Sequence, residues 1–179
     1  MKRVKIGQSI LELTVGDITK QKTDAVVNAA NKRLAPGGGV AGAIHRASGD
    51  RLWDECKQLG GCQTGEAKIT KGYNLSSPYI IHTVGPVYSG SPNDPEDLAS
   101  CYIKSIDIAV KNNLKSISFP ALSTGYFGYP VEKAARIAIK TVVEKLKKTP
   151  ELELVIFVLY NSKNLEIHEK ILNEITKSL

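Results

Sequence analysis

One stretch constrains this chain more than any other: Asp24 to Gly49, DAVVNAANKRLAPGGGVAGAIHRASG. It opens on Ala25-Val26-Val27, a short apolar run of the kind that forms a buried strand. Asn28 and Asn31 follow, separated by alanines, and then Pro36, the three glycines Gly37, Gly38 and Gly39, and Val40 to Ala47 with helical spacing. A strand, a polar turn, a glycine cluster and a helix start together make a phosphate-binding arrangement. Glycines admit a ligand to the backbone, and a helix N-terminus presents free N–H groups at the positive end of its dipole. Carboxamides beside it donate to and accept from sugar hydroxyls. The stretch reads as a nucleotide-sugar site.

Gly37, Gly39 and Gly42 also satisfy the literal G-x-G-x-x-G pattern of dinucleotide-binding folds. The context excludes that reading. The fingerprint directly follows its strand and is completed by an acidic residue about twenty positions on, at the end of a second strand. Here Gly37 lies well beyond Asn28, and the acids downstream, Asp50, Asp54 and Glu55, fall in a helical pattern. No G-x-x-x-x-G-K-[ST] segment occurs, which removes a P-loop.

The remaining chain alternates strand and helix patterns. Residues 3 to 15 alternate apolar and polar side chains, a strand or hairpin, and end at Gly16-Asp17-Ile18-Thr19. Asp17 there is either a turn or N-cap residue or an acceptor for the amino group of a base. Asp50 to Leu59 reads as a helix with Trp53 as a packing residue, ended by Gly60-Gly61. Ala67 to Thr70 and Tyr79 to Val84 are β-like, and His82 inside the second reads as a hydrogen-bonded core histidine. A helix from about Pro95 carries Leu98, Tyr102, Ile106 and Ala109 on one face, and Ser116 to Phe119 is a short strand. Ser123, Thr124, Gly125, Tyr126, Phe127 and Gly128 follow as a loop of phosphate-wrapping residue types, with Gly125 expected to need a conformation that a Cβ would obstruct. Pro130 and Glu132 start another helix, with Val131, Ala135, Ala138, Val142 and Leu146 as its apolar stripe. Leu152 to Leu159 is a central strand ending at Tyr160-Asn161, and a last helix carries Ile167, Ile171, Leu172 and Ile175.

This alternation, without repeat or linker, predicts one α/β domain over residues 1–179, a mostly parallel sheet between helix layers. Ligands of such sheets bind beyond the carboxyl ends of the strands. Asp17, Asn28 to Asn31, Ser123 to Gly128 and Tyr160 all follow predicted strands, so four separate stretches point at one cleft.

Composition narrows the function classes. No apolar run approaches the roughly 18 residues of a membrane span, and MKRVKIGQ lacks a signal peptide's apolar stretch, so a soluble cytoplasmic protein is expected. Cys56, Cys62 and Cys101 show no C-x-x-C spacing and read as reduced thiols; a zinc site using Cys56, Cys62 and His45 or His82 is disfavoured. The net charge of +6 suits an anionic ligand, although Lys140, Lys145, Lys147 and Lys148 read as a solvated helix face. Nucleic acid is a poor fit, because aromatic residues, 6% of the chain, do not interleave with the basic ones.

Four motifs resemble the macrodomains, a family that binds ADP-ribose: Gly16-Asp17-Ile18-Thr19, NAANKRLAPGGGV, IHTVGP (Ile81 to Pro86) and STGYFGYP (Ser123 to Pro130). AIHRASG, CQTGEAKITKGY and SCYIKS look most like the MacroD-type hydrolases, which remove ADP-ribose from acidic side chains and deacylate O-acetyl-ADP-ribose. The resemblance implies a three-layer α/β/α macrodomain with a central mixed, mostly parallel sheet. It implies that Asp17 accepts the adenine amino group with Ile18 nearby, that Asn31 holds the distal ribose and that Asn28 supports its loop. Gly37, Gly38, Gly39 and Val40, with Ser123, Thr124, Gly125, Tyr126, Phe127 and Gly128, would cradle the diphosphate, and Tyr160 would pack beside the adenosine. The implied partners are ADP-ribose, O-acetyl-ADP-ribose or mono-ADP-ribosylated proteins, met by a monomer, with no metal and no cofactor beyond that ligand. One position departs: MacroD-type enzymes carry aspartate after the Gly-Gly-Gly-Val run, and this chain has Ala41. Alanine neither accepts a proton nor holds a water, so reduced hydrolysis is expected, or none, as in a reader module. Active coronaviral macrodomains also read GGGVAGA at this point.

Overall fold

The computed structural model describes residues Met1 to Leu179. The chain starts as a hairpin, β1 (Lys2–Ile6) and β2 (Ser9–Val15), in which Val4 faces Leu11. It continues through β3 (Ala25–Ala29), α1 (Gly39–Ser48), α2 (Asp50–Cys56), β4 (Ala67–Lys71) and β5 (Tyr79–Thr83). Then follow α3 (Asn93–Lys111), β6 (Ser116–Phe119), α4 (Val131–Lys147), β7 (Leu154–Leu159) and α5 (Ser162–Thr176). The strands form one seven-stranded sheet in the order β1-β2-β7-β6-β3-β5-β4. The five inner strands are parallel, and the edge strands β1 and β4 run antiparallel to their neighbours. The mostly parallel sheet expected from the alternation therefore forms, with the mixed character that the resemblance implies.

Alternation along the inner strands sorts the core into two layers. Val27, Ile81 and Phe157 enter a cluster with α3, α4 and α5, whereas Val26, Ile80 and Val158, one residue away on each strand, enter a second with α1 and α2. Helices thus cover both faces, which is why β3 and β5 read as continuous apolar runs. The larger layer centres on Tyr102, Phe119 and Phe157, whose rings lie 4.9 to 5.9 Å apart. Burying each such ring contributes about 1.5–3 kcal/mol. The helix expected from Pro95 begins slightly earlier, at Asn93, and its predicted face of Leu98, Tyr102, Ile106 and Ala109 is fully buried. Cys56, Cys62 and Cys101 are free and buried, and no three His, Cys, Asp or Glu side chains gather as a metal-ligand set. No helix is long and apolar enough to cross a membrane.

Candidate functional site

The parallel strands β2, β7, β6 and β3 are consecutive neighbours, and each delivers one predicted stretch to the same edge of the sheet. Asp17 follows β2 and Tyr160 follows β7. They emerge side by side, because Val15 is paired with Leu159 and the Gly16 N–H donates to the Leu159 carbonyl. Ser123 to Gly128 follows β6, and Asn28 to Asn31 ends β3. Their order along the edge is therefore Asp17, Tyr160, the 123–128 loop and the glycine cluster.

The glycine cluster and the 123–128 loop enclose a cavity of about 210 Å³. Asn31, Gly37, Gly38, Gly39, Val40, Ala41, Ser123, Gly125, Tyr126 and Phe127 line it, joined by Ala29, Ala30 and Ala121. The three alanines carried no distinguishing signal in the sequence; their small side chains leave the room a ligand needs. Gly38 caps α1 without a side-chain hydrogen bond. The N–H groups of Gly38, Gly39, Val40 and Ala41 donate to no acceptor in the protein. Those of Ser123 to Phe127 are likewise unpartnered. Two arrays of free backbone donors therefore border one cavity, and one of them sits at the positive end of a helix dipole, an arrangement suited to an anion carrying more than one charge. Exposed Tyr126 reaches toward the other loop, its Cε2 lying 3.4 Å from where a Cβ on Gly38 would stand.

The glycine roles differ from expectation in one place. Gly125 has no left-handed backbone, and a Cβ added there meets nothing within 4 Å. The left-handed residues of this loop are Ser123, with φ 66°, and Gly128, with φ 70°. Ser123 packs so tightly on Gly85 that a Cβ at Gly85 would collide with its Oγ, and that buried hydroxyl has no hydrogen-bond partner. The Tyr129 N–H closes the turn on the Ser123 carbonyl at 2.9 Å, and Tyr88 buttresses it from outside by donating its N–H to Phe127. Thr124 turns its hydroxyl back to the Ala121 carbonyl, away from any ligand.

Asn31 lines the cavity, but both ends of its carboxamide are engaged. Its Nδ2 donates to the Ala35 carbonyl at 2.8 Å, and its Oδ1 accepts from the Ala35 N–H at 3.0 Å. Asn31 therefore shapes the loop leading to Gly37, and one N–H and one lone pair remain for a ligand. Asn28 is buried and donates from Nδ2 to Nδ1 of His82 at 3.0 Å. That bond assigns His82 the Nε2–H tautomer, which donates to Thr70 Oγ1 at 2.8 Å. Burial, with His45 nearby, pushes the His82 imidazole down to about 3, so it is a neutral structural link across β3, β5 and β4. The core reading of His82 holds, and Asn28 supports the site from beneath without facing the cavity.

Asp17 is exposed and caps the short turn Ile18–Lys20, its Oδ1 accepting from the Thr19 hydroxyl at 2.7 Å and N–H at 2.9 Å. These hydrogen bonds hold its carboxyl below the usual carboxylate range, and Oδ2 stays free. The turn-residue and base-acceptor readings are thus compatible. Ile18 is buried against the α1–α2 layer.

The fold and the site together define an α/β/α domain with a cavity suited to an anion at the carboxyl ends of its parallel strands. The chain belongs to the macrodomain family: the Macro domain model matches residues 27–138. It is 52% identical over 162 residues, 89% of its length, to the ADP-ribose glycohydrolase MACROD2 of Xenopus laevis, of which it spans 39%. It is 49% identical to a Macro domain-containing protein of Methanosarcina mazei, covering 97% of this chain and 93% of that one. Among solved structures it superposes on an Oceanobacillus iheyensis macrodomain with ADP at a TM-score of 0.96 and 39% identity, over 99% of this chain and 97% of that one. A Trypanosoma brucei macrodomain in complex with ADP-ribose gives 0.85 and 42%, over 89% of this chain and 68% of that one.

Proposed function

We propose that the protein binds ADP-ribose and slowly hydrolyses the esters that join it to acidic side chains, and O-acetyl-ADP-ribose. The observation that carries this reading is the pair of unpartnered N–H arrays, Gly38 to Ala41 and Ser123 to Phe127, on one cavity. A diphosphate between them places adenine toward Asp17, Ile18 and Tyr160 and the distal ribose toward Asn31 and Ala41. The order of these groups along the sheet edge supports that polarity. The relatives named as ADP-ribose glycohydrolases support the reaction class.

Hydrolysis adds water across the ester, its oxygen and one proton going to the carboxylate fragment and the other proton to the ribose hydroxyl. The side chain nearest the ribose end that would orient that water is Ala41, which is buried and has no polar atom. Orientation then falls to the free N–H of Asn31 and to the ligand's own phosphate, which makes the step slow. Its partners on this reading are mono-ADP-ribosylated proteins. A reader that binds ADP-ribose without chemistry is the second reading, favoured by Ala41 alone. Calorimetric titration with ADP-ribose, followed by a release assay with an ADP-ribosylated protein on the same sample, tests both. Binding with slow release is expected; binding without release establishes the reader, and no binding overturns the site.

A further inference from the structure

A second cavity, of about 230 Å³, lies beyond the first and shares Gly37 with it. Ala41 lines the first cavity and His45, one turn further along α1, lines the second, so the two follow each other along one helix face. His45 is buried, and its Nε2 has no hydrogen-bond partner. Burial also keeps the imidazole neutral. Arg46 forms no ion pair and no hydrogen bond, and its guanidinium folds back over the helix, Nη1 standing 3.0 Å from where a Cβ on Gly42 would be. Half-buried Trp53 adds an aromatic wall, and Asp50 adds an acceptor with no ion-pair partner.

An unpaired guanidinium, a neutral imidazole and an aromatic wall suit a carboxyl-derived group on a short apolar stem, with polypeptide beside it. We infer that the second cavity receives the part of the substrate beyond the distal ribose: the modified acidic side chain and its adjoining backbone. Arg46 faces the ester carbonyl in the substrate and the free carboxylate in the product, and Asp50 accepts from a backbone N–H of the polypeptide. This rests on the ADP-ribose reading above, and it adds that the chain distinguishes ADP-ribosylated protein from the bare nucleotide.

The test compares binding of ADP-ribose with binding of a glutamate peptide joined to ADP-ribose through a hydrolysis-resistant amide, by calorimetry on the full chain. The conjugate is expected to bind at least about fivefold more tightly than ADP-ribose, the order of one charge-assisted contact. Arg46→Glu should bring that advantage to within about twofold and Arg46→Lys should retain part of it, because charge is kept but the fork is lost. Arg46 is exposed, so both variants fold, and a thermal melt verifies it. An absent advantage in the unaltered chain, or one that survives Arg46→Glu, overturns the inference. Failure of ADP-ribose itself to bind would instead overturn the parent reading.

Discussion

The carbonyl oxygen of Gly37 occupies the space in which any side chain at Gly42 would begin. The glycine loop therefore lies directly on the first turn of α1, and its position depends on a hydrogen atom at residue 42. Gly42→Ala must displace Gly37, which lines the cavity between the two loops. Overpacking of this kind costs about 1–3 kcal/mol. The melting temperature should fall, and ADP-ribose affinity should fall at least about tenfold because the loop donors are displaced. Unchanged affinity measured by calorimetry would contradict this account of the loop.

Asp17 supports its own turn through Oδ1 while Oδ2 stays free. Alanine would remove the cap, worth about 0.5–2 kcal/mol, and confuse stability with binding. Asp17→Asn is the cleaner probe, since its Oδ1 keeps both Thr19 contacts and only the second acceptor is lost. Affinity for ADP-ribose should drop about tenfold, the worth of one hydrogen bond to a charged group, with an unchanged melt. Equal affinity would remove Asp17 from adenine recognition.

In the 123–128 loop, the left-handed backbone sits at Ser123 and Gly128. Gly128→Ala should cost about 1–3 kcal/mol, the price of a left-handed non-glycine residue. Gly125→Ala should melt like the parent, whereas Gly125→Val, standing in the cavity, should weaken binding. Ser123→Ala removes a hydroxyl that has no partner and should change stability little. Melting curves of the four variants in the reverse order would refute the loop geometry.

On the proposed reaction, Ala41 is the position that sets the rate. A carboxylate at this buried position would be desolvated, which raises its pKa toward neutrality and suits a general base. Ala41→Asp should raise the single-turnover rate at least about a hundredfold. Asn31→Ala should depress whatever rate remains, because it frees the Ala35 backbone as well as losing a ribose contact. Fast turnover by the chain as it stands, with no gain from Ala41→Asp, would mean that the ligand phosphate and Asn31 suffice.

His82 makes the fold sensitive to acid. Above its ordinary value of 6.5 both folded and unfolded chains hold a neutral ring. Between 6.5 and about 3 only the unfolded chain takes up the proton, so stability declines as pH falls through that window. Burial lowers His45 and His168 as well, and they add to the same slope. Urea midpoints measured from about pH 7 down to pH 4 should fall less steeply for His82→Gln than for the parent. Identical slopes would show that His82 does not carry the effect.

The local patterns of the sequence determined the elements. Apolar runs, alternation in the first hairpin and period-3.6 stripes located the elements, because each inner strand buries both faces and each main helix one stripe. Four strand ends rich in Gly, Ser, Asn and Asp were enough to point to one cleft at one sheet edge. Only the tertiary structure decided how those residues act. That Asn31 is clamped to Ala35, that Gly42 yields to the Gly37 carbonyl, and that Ser123 and not Gly125 takes the strained backbone depend on contacts and dihedrals that residue type does not encode. Nothing in the sequence joined His45, weighed there only as a disfavoured zinc ligand, to Arg46 and Trp53; α1 and α2 pack at their shared Gly49 and bring the three to one cavity. Periodicity reports which face of an element is buried; which side chains meet across elements is settled by packing, and the chemistry of this site lies there.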